Sequence, residues 1–308
     1  MAAISANGLT KSYEDKAVLK GIDLDIPAGT VFALLGPNGA GKTTAVQILS
    51  TLIPADGGTA RVAGHDVVRE ADGVRAAIGV TGQFSAVDNL LTAEENMLLM
   101  ADLNHLPRRE GRRRSEDLLR RFGLTEDART PVGTFSGGMR RKLDLAMTLV
   151  GDPKVIFLDE PTTGLDPRSR RTMWEIIRGL VADHGVTIFL TTQYLDEADQ
   201  LADRIAVLDG GRIVAEGTAE ELKRIVPGGL IRLRFADTGR LGRAAALFDY
   251  AVADEDALRL DVPGDNSVVT VKAVLDTLDN AGIPAESLVV ETADLDDVFL
   301  TLTGEGVR

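Results

Sequence analysis

Gly36-Pro37-Asn38-Gly39-Ala40-Gly41-Lys42-Thr43 decides the reading of this chain. The stretch fits the pattern G-x-x-x-x-G-K-[ST] in full. Gly36, Gly39 and Gly41, with Pro37, Asn38 and Ala40 between them, let the backbone curl until several N–H groups point at phosphate oxygens. A helix starting at about Gly41 adds its positive N-terminal end. Lys42 then reaches the outer phosphates and the Thr43 hydroxyl is a Mg²⁺ ligand, with Thr44 next to them among the nucleotide-binding residues. The flanks agree: Val31–Leu35 before the loop is a solid apolar run, as in a buried parallel strand, and the segment after it is periodic like a helix.

Working outward, Val155-Ile156-Phe157-Leu158 is a second buried strand that ends in two adjacent carboxylates, Asp159 and Glu160. Beside a phosphate loop, Asp159 is placed to hold the Mg²⁺ shell and Glu160 to orient or deprotonate an attacking water. Thr187–Thr191 is a third strand. Arg204–Leu208 is a fourth, turned by Asp209-Gly210-Gly211 into Arg212–Ala215 as a hairpin. Strands alternating with helical patterns predict an α/β fold with a covered parallel sheet. From about residue 88 to 150 the pattern is helical without a strand, so this part reads as a helical subdomain.

Pro227-Gly228-Gly229 reads as a linker, dividing a nucleotide-binding domain, 1–226, from an accessory domain, 227–308. Beyond it, strand-like patterns at Leu230–Phe235, Ala251–Asp254, Leu258–Val262 and Ser287–Glu291 alternate with helical ones at Leu241–Phe248 and Val271–Asn280. The order βαββαβ predicts a small α+β domain.

The bulk figures set limits. The chain has 308 residues, 44% hydrophobic and 26% charged, and no cysteine, which excludes a disulfide framework or thiolate metal site. A net charge of −13 argues against a nucleic-acid partner. The run Arg108, Arg109, Arg112, Arg113 and Arg114 reads as a solvated helix face, and His65, His105 and His184 lack ligand spacing. No stretch of apolar residues is long enough to span a bilayer, so a pore would come from another chain.

Ser136-Gly137-Gly138-Met139, in the helical part, is similar to the signature of ATP-binding cassette proteins, which usually ends in Gln rather than Met. Other elements of that family follow in order over about residues 3–220. Tyr13 resembles the aromatic residue that stacks on adenine. Gln83 resembles the glutamine that links Mg²⁺ to the transport partner. Gly164-Leu165-Asp166 resembles the loop that crosses to the partner cassette. The resemblance implies a phosphate-loop core with an antiparallel β subdomain and a helical subdomain. It also implies ATP and Mg²⁺ as cofactors, hydrolysis by Lys42, Glu160 and the residue at 193, and a head-to-tail pair of cassettes, two copies of this chain being the expected pair. The implied partner is a polytopic membrane permease, at the cytoplasmic face of the cell membrane.

One position departs from the family. Where a histidine usually contacts the γ-phosphate, Thr191-Thr192 is followed by Gln193. Glutamine can donate a hydrogen bond but cannot exchange a proton near neutral pH. This variant, and the ending Leu295-Asp296-Asp297-Val298-Phe299-Leu300, resemble the ATPases of daunorubicin-type resistance exporters, which implies export of a small molecule such as an antibiotic. The same ending also reads as an amphipathic last helix that buries Leu295, Val298, Phe299 and Leu302. The alternative function is a non-transport ATPase of the same family, regulatory or translation-associated. Translation-type members carry two cassettes and this chain has one phosphate loop.

Overall fold

The apolar runs form strands β3 (Val31–Leu35), β7 (Val155–Asp159) and β8 (Thr187–Thr192), in which every residue is buried. A strand covered on both faces has no polar side to show, so it reads as a continuous hydrophobic run. In the computed structural model, which describes residues 2–82, 86–225, 229–264, 267–291 and 294–303, β8 lies parallel between β3 and β7. Outside β3 lie the parallel β9 (Arg204–Asp209) and then β10 (Arg212–Gly217), the antiparallel arm of the expected hairpin. Outside β7 lies the parallel β6 (Ile78–Thr81). The order is β10-β9-β3-β8-β7-β6.

Three helices follow strand ends in this sheet: α1 (Lys42–Leu49) after β3, α6 (Pro167–His184) after β7 and α7 (Leu195–Leu201) after β8. The start of α6 is locally encoded. Asp166 accepts from the backbone N–H groups of Arg168 and Ser169, and Pro167 occupies the first helical position, where its missing N–H costs nothing. Gly185, in the left-handed region, ends the helix.

A second, antiparallel sheet has the order β2-β1-β4-β5. It comprises β1 (Ala2–Tyr13), β2 (Lys16–Pro27), β4 (Gly57–Val62) and β5 (His65–Asp66). This is the expected antiparallel β subdomain. Its inward residues Ile4, Leu9, Leu19, Ile22 and Ile26 share one core with Phe32, Phe157 and Phe189 of the central sheet. Phe189 stacks on Phe32 with ring centroids 5.7 Å apart. Helix α2 (Ala71–Ala77) leads from this sheet into β6.

The segment between β6 and β7 is helical. It contains α3 (Ala93–Leu103), α4 (Arg108–Arg121) and α5 (Gly137–Thr148). Thr92 and Glu95 form a reciprocal capping box at the start of α3. On α4 the arginines are largely a surface feature: Arg113 pairs with Glu110, and Arg120 and Arg121 pair with Asp117, while Leu118 and Leu119 turn inward.

The chain divides into two compact units, Met1–Ala219 and Glu220–Arg308. The short α8 (Ala219–Lys223) begins at the division. The linker reading falls mostly on residues 226–228, which lie outside the described residues; Gly229 already opens the next strand. The second unit has a sheet of its own, β12-β13-β11-β14, antiparallel throughout. Its strands are β11 (Gly229–Arg234), β12 (Val252–Asp254), β13 (Arg259–Gly264) and β14 (Ser287–Glu291). Helices α9 (Thr238–Ala245) and α10 (Val268–Asn280) complete the βαββαβ order. Ile231, Leu233, Phe235, Leu260 and Val262 pack against Leu241, Val274 and Leu278 in a core separate from the first. The terminal helix α11 (Leu295–Thr303) buries Leu295 and Val298, and leaves Phe299 and Leu302 half-buried. Among the described residues no helix is long and apolar enough to cross a membrane.

Candidate active site

The loop from Gly36 to Thr43 lies where β3 turns into α1. Two close approaches explain its glycines. A Cβ on Gly36 would sit 2.3 Å from the Leu208 carbonyl oxygen, and one on Gly41 would sit 2.8 Å from Leu19 Cδ2. Gly41 also has φ 112° and Gly39 φ 80°, which L side chains rarely adopt. Asn38, Gly39 and Thr43 are exposed, while Gly36, Ala40 and Lys42 are buried.

Lys42 is 5% exposed, an unusual position for an ammonium. Its Nζ donates to the Gly36 carbonyl at 2.8 Å and the Pro37 carbonyl at 3.1 Å, and lies 3.4 Å from Glu160 Oε1. Burial pulls the ammonium below the usual lysine range, while Glu160 and then Asp159 oppose the shift. The phosphate loop and the acidic strand end are thus in direct contact.

Asp159, the last residue of β7, is buried and accepts a hydrogen bond from Thr191 Oγ1 at 2.5 Å. Glu160 follows with φ 50°, a strained conformation for a residue with a side chain. Its N–H donates to the Thr191 carbonyl and to Thr191 Oγ1, each at 3.1 Å, and its Oε2 accepts from Thr163 Oγ1 at 3.2 Å. The Gly36 N–H donates to the Thr192 carbonyl at 3.2 Å. The ends of β3, β7 and β8 therefore converge on Lys42, Asp159 and Glu160.

The remaining sequence candidates spread around this centre. Gln193, just past β8, is half-buried. Tyr13, 46% exposed, ends β1, and the Lys11 ammonium lies 5.7 Å from its ring centroid. Ser136 caps α5 by accepting from the Met139 N–H at 3.2 Å. Gly138 faces Ser169, whose Oγ would be 2.7 Å from an added Cβ, and that hydroxyl donates to Asp166 Oδ2 at 2.6 Å. The Ser169 hydroxyl and backbone hold the Asp166 carboxyl below its usual range. Among the described residues no hydrogen bond or ion pair joins Ser136, Gly137 or Gly138 to Lys42 or Glu160; the signature lies beside Asp166 and Ser169 instead. Gln83 lies outside the described residues.

The donor set suits Mg²⁺, which favours oxygen ligands and keeps several of its waters. The Asp159 carboxylate and the Thr43 hydroxyl at the start of α1 are the protein oxygens that could hold it. Among the described residues no group of three or more His, Cys, Asp or Glu forms a cage for a metal.

Three charged residues, Asp144 and Glu197 buried and Arg141 mostly covered, were not legible as site residues. Arg141 and Asp144 on α5 reach the chain beside Glu160 and the flanks of residues 83–85. Glu197 on α7 is fully buried, and its Oε1 accepts from Thr162 Oγ1 at 2.8 Å and Trp174 Nε1 at 3.1 Å. Burial pushes its carboxyl up, against the hydrogen bonds of Thr192, Thr162 and Trp174. The sequence held no signal for these roles, because charged residues on helices are ordinarily solvated.

The chain is similar to known proteins. A family model described as ABC transporter matches residues 19–163. The chain is 49% identical to a daunorubicin resistance ATP-binding protein of Streptomyces coeruleorubidus, covering 99% of this chain and 97% of that protein. It is 33% identical to a linearmycin resistance ATP-binding protein of Bacillus subtilis strain 168, covering 99% of each. Among solved structures, an ATP-binding cassette in a dimeric post-hydrolysis state bound to ADP and Pi superposes with a TM-score of 0.64 at 25% identity, over 70% of this chain and 98% of that one.

Two predictions follow from the packing. Gly36→Ala forces the loop away from the Leu208 carbonyl. Overpacking of this kind costs about 1–3 kcal/mol, so nucleotide affinity in a binding titration should fall about tenfold or more. The second concerns Glu197. A carboxyl raised in the folded state holds its proton to higher pH than in the unfolded chain, so stability falls as pH rises from the ordinary glutamate value, about 4.3, through the raised one. Glu197→Gln removes that dependence. In thermal melts its Tm should gain on the wild type as pH rises, and a difference independent of pH would contradict the assignment.

Proposed function

The chain belongs to the ABC transporter family as the ATP-hydrolysing subunit of an exporter, and from that premise we propose which residues carry the chemistry and what the protein works with. The observation that supports the assignment most is the buried Lys42 ammonium 3.4 Å from Glu160, at the junction of three strand ends. The triphosphate lies on the curl Gly36–Thr43. Lys42 binds its outer phosphates, and Thr43 and Asp159 would hold Mg²⁺, which would supply charge neutralisation for the transferred phosphoryl group. A phosphate that takes over Lys42 frees Glu160 to accept a proton from the attacking water. Tyr13 stacks on the adenine, and Thr44 and Gln83 join the nucleotide and metal shell.

The second half of the site comes from another cassette. Ser136, Gly137 and Gly138 of one copy close on the γ-phosphate held by Lys42 of the other, with Asp166 at the boundary. The placement of Gly138 against Ser169, whose hydroxyl donates to Asp166, supports this reading. ATP then holds the pair together and hydrolysis releases it, so binding energy is converted into movement. Two copies of this chain form the pair. The transport partner is a polytopic membrane permease, which places the protein at the cytoplasmic face of the cell membrane. The cargo is a small molecule of the antibiotic class. Near-full-length likeness to ATP-binding proteins named for daunorubicin and linearmycin resistance supports both. The second domain lies outside the nucleotide chemistry and serves as an accessory.

Glu160→Gln tests the base. It should retain ATP binding while turnover falls about 10²–10⁴-fold, and the ATP-bound protein should elute as a dimer in size exclusion. Wild-type turnover in this variant removes Glu160 from the role. Gln193 acts through geometry alone, by one amide hydrogen bond to the γ-phosphate or the water. Gln193→Ala should slow turnover by an amount worth about 1.5–3 kcal/mol. Gln193→His should stay active and add a pH-dependent limb near 6.5, read from steady-state rates across the pH range. An alanine variant as fast as the wild type would end the case for Gln193.

A further inference from the structure

Arg141 lies on α5, five residues after Ser136, and takes no part in the chemistry above. Its guanidinium is committed to two separate stretches of backbone, Gly82 and Asp159–Pro161. Nε donates to the Pro161 carbonyl and Nη1 to the Gly82 carbonyl, each at 2.9 Å. Nη2 reaches the carbonyls of Asp159 and Glu160 at 3.2 and 3.3 Å. Asp144, on the same face of the helix, pairs with Arg141 at 3.4 Å, and its Oδ1 accepts from the Ala86 N–H at 3.2 Å. Asp144 is buried, its side chain 3% exposed, and Arg141 is mostly covered, its side chain 11% exposed. Burial lowers the Arg141 pKa, and Asp144 is first among the charges that oppose it.

The geometry carries a consequence for Glu160. A non-glycine residue at φ 50° persists only where its surroundings over-determine it. Thr191 fixes the N–H side of that residue and Arg141 fixes the carbonyl side. Gly82 and Ala86, the other anchor points, bracket residues 83–85. A planar fork with five donors suits this task, because it can meet several carbonyls at fixed angles; an ammonium offers three donors from one point.

We propose that Arg141, braced by Asp144, is a positioning residue: it holds the strained Asp159–Glu160–Pro161 turn so that the Glu160 carboxylate faces the phosphate loop, and it ties that turn to the Gly82 carbonyl. The signature helix and the end of the metal-shell strand are thereby bonded to each other. This inference rests on the assignment of Glu160 as the base.

The test uses the full-length chain and compares wild type, Lys42→Ala, Arg141→Lys and Asp144→Asn in Mg-ATP hydrolysis, with ATP affinity measured separately in EDTA. Arg141→Lys should lower kcat roughly tenfold to a hundredfold, while KM and ATP affinity stay within about twofold. Asp144→Asn should show the same split with a smaller loss, and it carries the test if Arg141→Lys does not fold. The double variant Glu160→Gln/Arg141→Lys should turn over no more slowly than Glu160→Gln alone, because a residue that acts through Glu160 has nothing left to position. Wild-type kcat in Arg141→Lys overturns the proposal, as does a loss that appears equally in ATP affinity or adds in full to that of Glu160→Gln. A wild-type chain without ATPase activity, or one indifferent to Lys42→Ala, overturns the underlying assignment instead.

Discussion

The arrangement depends on keeping one ammonium out of water. An unpaired cation in a protein interior is costly, so Lys42 is stable only while carbonyl dipoles and carboxylates surround it. The Gly36 and Pro37 carbonyls and Glu160 meet that need, and each has its own requirement. The carbonyls can turn inward only if the loop curls tightly, and the curl leaves no room for a Cβ at Gly36 or Gly41. Glu160 can reach Lys42 only if β7 ends beside β3's neighbour β8, which fixes the strand order around the site.

The same economy governs the polar groups nearby. Several buried polar side chains of the first unit, among them Asp159, Thr162, Thr191 and Thr192, lie at the C-terminal ends of the parallel strands or in the turns after them, and Lys42 and Glu197 lie on the helices that follow. Buried polar groups are tolerated where they satisfy one another. Here Thr191 serves Asp159 and the Glu160 backbone together, while Thr162 and Trp174 serve Glu197. Such a network has few alternative arrangements, which suits a site that must present a carboxylate and a cation at fixed separation before any ligand arrives.

The second unit follows a different logic. Its core of Ile231, Leu233, Phe235, Leu260 and Val262 is aliphatic and aromatic, and the opposite face of β11 and β13 pairs Arg232 and Arg259 with Asp261. That half-covered sheet alternates polar and apolar residues, so its strands could be read along the chain to within a few residues.

How much was legible followed from the range of the forces involved. The phosphate loop, the acidic strand end and the buried strands are local: a curl needs its glycines in sequence, and a strand covered on both faces must be apolar throughout. The βαββαβ order was likewise written in period-two and helical patterns. The individual strands of the antiparallel sheet were not, nor was β6 at the edge of the central sheet. β1 carries register shifts around Gly8 that break its alternation, and β6 is four residues long with a glycine inside it, where a Cβ would meet the Thr148 carbonyl at 2.9 Å. The sequence alone therefore determined the phosphate-loop chemistry, the α/β class and the family resemblance. Only the tertiary structure decided that Asp144 and Glu197 are buried, that Arg141 is mostly covered and what all three touch, because they meet backbone groups and side chains 18 to 59 residues away, brought near by packing and not by any local pattern.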